Sequence, residues 1–206
     1  MKTLSKAISI IFHPIFAITY SIIITFLILG NIENMLDYKL LMTLIAFVLT
    51  AILPILLFMT LKFFNHITTM EMSDRRERTL PYILTAIIDA ATIYTFEILN
   101  VPIVTTTTMY GSVAAILIIM LINLKWKISA HCTAWGGLTA FCIMQYITYP
   151  LPNLTILSTV AAIGGAVGTA RIYLNAHTLA QTIAGYAVGT VTVTIFGIIG
   201  LLRLFY

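Results

Sequence analysis

The chain has 206 residues, of which 60% are hydrophobic and only 9% charged, where a soluble domain typically carries about 25% charged residues. That balance, with a mean hydropathy of +1.04, excludes an ordinary soluble domain and points to an integral membrane protein. The net charge is +4, but the basic residues gather at the ends of apolar runs, as membrane anchors or headgroup contacts would, and no aromatic-basic surface suggests a nucleic-acid partner.

A chain that crosses a bilayer must satisfy its backbone internally, as helices or as a closed barrel. The apolar runs are continuous rather than alternating, which excludes the barrel. The expected fold is an all-α membrane protein, one domain over 1–206, built as a bundle of six to seven transmembrane helices.

Lys2 and Lys6 precede an apolar run over 7–29 that is too long for a signal peptide and lacks a small-residue cleavage site. It reads as a retained first span, kinked at His13-Pro14, with His13 expected at the membrane interface and an inward reach to a site as the alternative. A polar loop over 31–39 leads to a second span over 40–64. The segment M-E-M-S-D-R-R-E-R-T-L-P, 70–81, is the densest charge cluster of the chain. The third run, 80–99, carries Asp89 and Glu97, expected to be hydrogen-bonded inside the bundle. A fourth run, 109–124, is short but is extended by the threonines of 105–108.

The polar segment K-W-K-I-S-A-H, 125–131, precedes a fifth run over 132–149, and Pro150-Leu151-Pro152-Asn153 reads as a turn. Runs over 154–172 and 179–202 complete seven spans. Gly164/Gly168 and Gly185/Gly189 have the small-xxx-small spacing that lets helices approach closely. Cys132 and Cys142 have no metal-ligand spacing and are expected to pack in the core. Trp126 and Trp135 are expected in an aromatic belt.

Seven spans place the amino terminus, the 74–78 cluster, 125–131 and 171–177 on one face of the membrane. The last segment, A-R-I-Y-L-N-A-H-T-L-A-Q over 170–181, sets Arg171, Asn175, His177 and Gln181 between two apolar runs, a costly placement that suggests function. His177 and Gln181 are four residues apart, so on one helix face the amide oxygen can accept from the imidazole. An arginine that grips phosphate, a histidine that attacks it and an acceptor that fixes the tautomer form a coherent set.

Two of these segments resemble motifs of the type 2 phosphatidic acid phosphatase family, which includes lipid phosphatases and soluble vanadium haloperoxidases. Ala170-Arg171, five residues, His177, three residues, Gln181 is similar to the family's Ser-Arg, five residues, His, three residues, Asp. Ile128-Ser129-Ala130-His131 is similar to its Pro-Ser-Gly-His, with the serine and histidine retained. Arg75-Arg76-Glu77-Arg78 followed by Pro81 stands where the family has Lys, six residues, Arg-Pro, with similar chemistry and different spacing.

The resemblance implies a phosphohistidine mechanism without metal or other cofactor. His177 would be the nucleophile and His131 the general acid on the leaving group. Arg171, Ser129, one or more of Arg75, Arg76 and Arg78, and Lys125 or Lys127 would hold the nonbridging oxygens. Gln181 would orient His177 but lacks the family's carboxylate, a charge that Asp74 or Glu77 could supply instead. Ile128 and Ala130, in place of proline and glycine, should alter the turn before His131.

The expected function is removal of phosphate from a membrane lipid phosphate or diphosphate. Isoprenyl diphosphate, phosphatidylglycerol phosphate, phosphatidic acid and a phosphorylated glycolipid all remain open as substrates. Two other classes compete: a protein that binds or transports a lipid phosphate without cleaving it, favoured by Gln181, and a phosphotransferase. The expected location is a bacterial inner membrane. The positive-inside rule, read on Lys2 and Lys6, favours a cytoplasmic-facing site, while bacterial members of the family it resembles often work on the outer side, so both faces stay open.

Overall fold

The computed structural model describes residues 1–29, 36–70, 72, 74–149 and 154–206. Its elements are helices: α1 (Lys2–Ile11), α2 (Ala17–Leu29), α3 (Leu36–Phe47), α4 (Leu53–Phe63), α5 (Thr79–Ile98), α6 (Ile103–Asn123), α7 (Ala130–Thr148), α8 (Thr155–Tyr173) and α9 (Leu179–Phe205). No strand occurs among the described residues. The turn expected at 150–153 and residues 31–35 of the expected loop lie outside them, while residues 36–39 of that loop are helical and form the start of α3.

Six helical stretches are long and apolar enough to cross a membrane, among them Lys2–Leu29 and Leu36–Phe63, each formed from two of the helices above. The fifth expected span, α7, is as long as α8 at 19 residues. It is the innermost helix, wrapped by α2, α6, α8 and α9. A helix shielded in this way from lipid tolerates Thr133, Thr139 and Gln145, which an outer span would expose to hydrocarbon.

The helix breaks follow from specific residues. Pro14 opens a 3-10 turn (Pro14–Phe16) between α1 and α2, and His13 caps it by accepting from Ile15 N through Nδ1 at 3.3 Å. A π turn over Val48–Ile52 joins α3 to α4 just before Pro54, which has no N–H to offer the preceding turn. Three spans end at asparagines in the left-handed region: Asn65 (φ 60°), Asn100 (φ 60°) and Asn175 (φ 53°). After each, the next N–H returns to a carbonyl of the last helical turn: His66 to Leu61, Val101 to Phe96 and Ala176 to Arg171. This is the Schellman arrangement. Asn175, expected among the functional polar residues, is therefore a helix terminator.

The seam that positions the site lies between α7 and α9, which start side by side and run in parallel. A Cβ on Gly189 would sit 1.9 Å from the Thr133 carbonyl oxygen, and one on Gly136 would sit 2.1 Å from that of Tyr186. Backbone thus meets backbone, and only glycine fits. The seam continues to the membrane face, where Ser129 N donates to Gln181 O at 3.4 Å. The expected close approach at Gly185/Gly189 is present. Gly168 is different, since its added Cβ would find only Cys132 Sγ, at 3.8 Å.

Trp135 does not join an aromatic belt. It is 4% exposed, its ring meets Phe12 edge-on at 5.4 Å, and its Nε1–H donates to Phe12 O at 3.0 Å. That carbonyl lies at the break before Pro14, where the helix ladder supplies no partner. Trp126 remains exposed near the membrane face, as the belt requires. Cys132 and Cys142 are free and buried.

Candidate functional site

One cavity of about 530 Å³ opens among the helix ends and runs into the bundle. Arg78, Arg171, His13, His131 and His177 line its upper part, and Ile18, Ile119, Leu138 and Phe141 line its apolar walls. The helices α5, α7 and α9 all begin at this end, so the positive poles of three helices add to the cationic side chains.

His177 precedes α9 directly, and Thr178 is the N-cap. The Thr178 hydroxyl accepts from Gln181 N at 3.3 Å, and Gln181 Oε1 accepts from Thr178 N at 3.1 Å, a reciprocal capping box. The box fixes the amide, because only its oxygen can accept from a backbone N–H. His177 Nδ1 lies 3.3 Å from that same Oε1. Nδ1 therefore carries the hydrogen, and Nε2 is left with its lone pair.

Burial lowers the His177 pKa to about 4, and Arg171, Arg78 and Lys127 add to the effect against an opposing contribution from the Gln181 hydrogen bond. The ring is thus neutral at pH 7, as a nucleophile must be. Lys127 is itself held below the usual lysine range by burial and by Arg78 and Arg171. These groups form one cluster of positive charge, a setting complementary to a phosphate.

His131 occupies the first turn of α7. Its Nε2 lies 3.1 Å from Ser9 O, which can only accept, so Nε2 carries the hydrogen and Nδ1 is the open position. The ring of His13 stands against it edge-on, with centroids 4.9 Å apart. His13 is therefore not an interfacial residue: the break at Pro14 turns its ring inward, onto the cavity. Two sequence features, the His-Pro pair and the run before it, marked the break but not its direction.

The basic candidates separate clearly. Arg78 is 7% exposed, lines the cavity and is held by donation from Nε to Met72 O at 2.8 Å. Arg75 donates to the Asn123 and Leu124 carbonyls and so caps the end of α6. Arg76 and Lys125 are exposed and lie outside the cavity lining. Lys127 joins through its charge.

Ser129 does not line the cavity either; it is fully buried and its hydroxyl accepts from Cys132 N at 3.4 Å, as the N-cap of α7. Neither acid of the 74–78 cluster supplies the missing charge at His177. Asp74 Oδ1 accepts from Arg76 N at 2.9 Å, and Glu77 Oε2 accepts from Thr68 N at 3.1 Å. Asp74 thus caps its own turn, and Glu77 is held by Thr68 in the segment that follows α4.

Asp89 and Glu97 part company. Glu97 accepts from the Tyr110 hydroxyl at 3.5 Å, as a bundle carboxylate should. Asp89 is buried on α5, lines the cavity, and its Oδ1 has no hydrogen-bond partner among the described residues. The expected hydrogen bond is absent there. No group of three or more metal-ligating side chains occurs among the described residues. Searches of protein-family models, curated proteins and solved structures find no match to this chain.

Proposed function

We propose that the protein hydrolyses a membrane lipid phosphate or diphosphate through a phosphohistidine on His177. The observation that carries this reading is the His177 ring itself. It is neutral, its tautomer is set by Gln181, and its Nε2 lone pair belongs to a ring lining a cavity that Arg78 and Arg171 share. The motif resemblance supports the same roles for His177, His131 and Arg171.

In the first step Nε2 attacks phosphorus and the bond from phosphorus to the leaving oxygen breaks. Arg78, Arg171 and Lys127 stabilise the charge that spreads over the nonbridging oxygens. His131 serves the leaving oxygen from Nδ1, since Nε2 is engaged with Ser9. It must first take a proton there, and the negative charge of an arriving phosphate favours that. Water then attacks the phosphohistidine, its proton passes to His131, and inorganic phosphate leaves. Apolar walls below the charged rim suit a headgroup that keeps its hydrocarbon attached.

The neutral Gln181 favours one competing reading, a protein that binds or carries a lipid phosphate without cleaving it. Phosphate release from lipid phosphates and diphosphates, measured in detergent with chelator, separates the two. Release by the wild type and none by His177→Ala is the expected result. No release by folded wild-type protein, with retained lipid-phosphate binding, would leave the carrier in its place.

A further inference from the structure

The lower part of the cavity has a chemistry of its own. Asp89 lies on α5, 11 residues beyond Arg78 and 14 beyond Arg75, and Ser112 lies on α6, 11 residues before Asn123. Arg75 and Asn123 hydrogen-bond to each other at the membrane face. At about 1.5 Å per helical residue, both side chains therefore sit about 15–20 Å below that face, in the lower part of the cavity. Both line the cavity, together with Ser21, Thr50 and Thr108.

The four hydroxyls direct their hydrogens away from the cavity. Ser21 donates to Ala17 O, Thr50 to Ala46 O, Thr108 to Val104 O and Ser112 to Met109 O, at 3.0, 2.7, 2.7 and 2.6 Å. A hydroxyl whose hydrogen is engaged can only accept a further bond. The four hydroxyls thus present acceptors, and among the described residues Asp89 Oδ1 is a buried acceptor left without a donor, deep in an otherwise apolar cavity. An unmet buried acceptor is unfavourable, and a donor that reaches it is correspondingly favoured.

We propose that this lower part of the cavity is a second binding subsite, which takes a hydroxyl carried on the hydrocarbon part of the ligand, about 15 Å from its phosphate. A hydroxyl supplies the missing donor and loses far less hydration than a charged amine on entering an apolar cavity. The ligand is then an amphiphile with a polar group at each end of the cavity, its phosphate among the arginines and its hydroxyl at Asp89. This deepens the lipid-phosphate reading by specifying the chain.

The test measures binding, not turnover. A series of ω-hydroxyalkyl phosphates of graded length is compared with n-alkyl phosphates of equal length, on the purified protein. One chain length should favour the hydroxyl by about tenfold, the value of one well-placed hydrogen bond. Asp89→Leu should abolish that preference while keeping the n-alkyl affinity, which also shows that the variant is folded. Asp89→Asn, which keeps an acceptor oxygen, should retain most of it.

A second pair, n-alkanols against the corresponding alkyl methyl ethers, which lack the hydroxyl hydrogen, carries no phosphate. It reads the deep subsite even if the charged rim fails to bind phosphate, so the two readings fail separately. Equal binding of chains with and without the hydroxyl at every length, in both pairs, overturns the proposal. Stabilisation by sodium over choline that disappears in Asp89→Leu would also overturn it, in favour of a cation site.

Discussion

Replacing Gln181 by glutamate isolates the one charge that distinguishes this site from its family resemblance. Glutamate keeps the length of the side chain and an acceptor for Thr178 N, so the capping box survives. It also places a carboxylate about where Oε1 now stands, 3.3 Å from His177 Nδ1. Coulomb's law at an effective dielectric of about 20 gives about 5 kcal/mol for unit charges at that spacing. Gln181 is partly open to water, so solvent and salt should leave about 1.5–3 kcal/mol, or about 1–2 pKa units. His177, held at about 4 in the wild type, should then titrate between about 5 and 6 in Gln181→Glu.

The assay is a nuclear magnetic resonance titration of isotope-labelled histidine in detergent, assigned by His177→Asn. Phosphohydrolase activity is measured on the same samples. In serine proteases, exchanging the orienting aspartate for asparagine costs about 10⁴ in rate, largely through the wrong tautomer. Gln181 already selects the right tautomer, so only the electrostatic part remains, and kcat should rise about 10–100-fold at neutral pH. An unchanged His177 titration would refute the contact between the two side chains. A shifted titration with unchanged kcat would refute the idea that charge at this position limits the reaction.

Arg78→Ala should lower kcat/KM by about 10²–10³-fold, and Arg76→Ala should leave it within about twofold; equal losses would remove Arg78 from the phosphate site. The His177 pKa is depressed, so the unfolded chain binds the extra proton between pH 6.5 and about 4. Thermal stability should therefore fall as pH drops through that window, by up to about 3 kcal/mol from this residue. His177→Asn should flatten the fall, and an identical acid profile in the variant would refute it. Gly189→Ala should destabilise the bundle by about 3 kcal/mol or more, against less than about 0.5 for Gly168→Ala; similar melting temperatures for the two would refute the backbone seam.

The spans were legible because crossing a bilayer demands about 20 apolar residues in a row, whatever the neighbours do. The pairing of His177 with Gln181 was legible for a similar reason: a four-residue spacing at a helix start is a local matter. What failed depended on partners far away in sequence. Nothing near Trp135 shows that Phe12 has a carbonyl left over at a proline break. Nothing near His13 shows that the same break turns its ring toward His131. Among the arginines, local chemistry is the same, and only the position of the α6 carboxyl end assigns Arg75 to capping and leaves Arg78 to the cavity. Ser129 misled because a serine just before a helix satisfies the helix first. Asn175 could have been read correctly, since Leu-Asn recurs at the end of α5 and α8 with the same backbone outcome.

The α7–α9 seam sets which parts of the cavity rim can move. His131 and His177 stand at the starts of two helices whose backbones touch, so their separation is fixed by glycine contacts well below them. Arg78 arrives on α5, which packs on α6 and on the π turn rather than on that pair, and His13 arrives on a helix broken at Pro14. Widening the entrance without breaking the seam therefore requires movement of Arg78 or of the amino-terminal helix, or of the α8 end that carries Arg171. The two histidines form the fixed part of the rim, with Arg171 on α8 packed beside them, and Arg78 and His13 stand on the elements that do not share the seam.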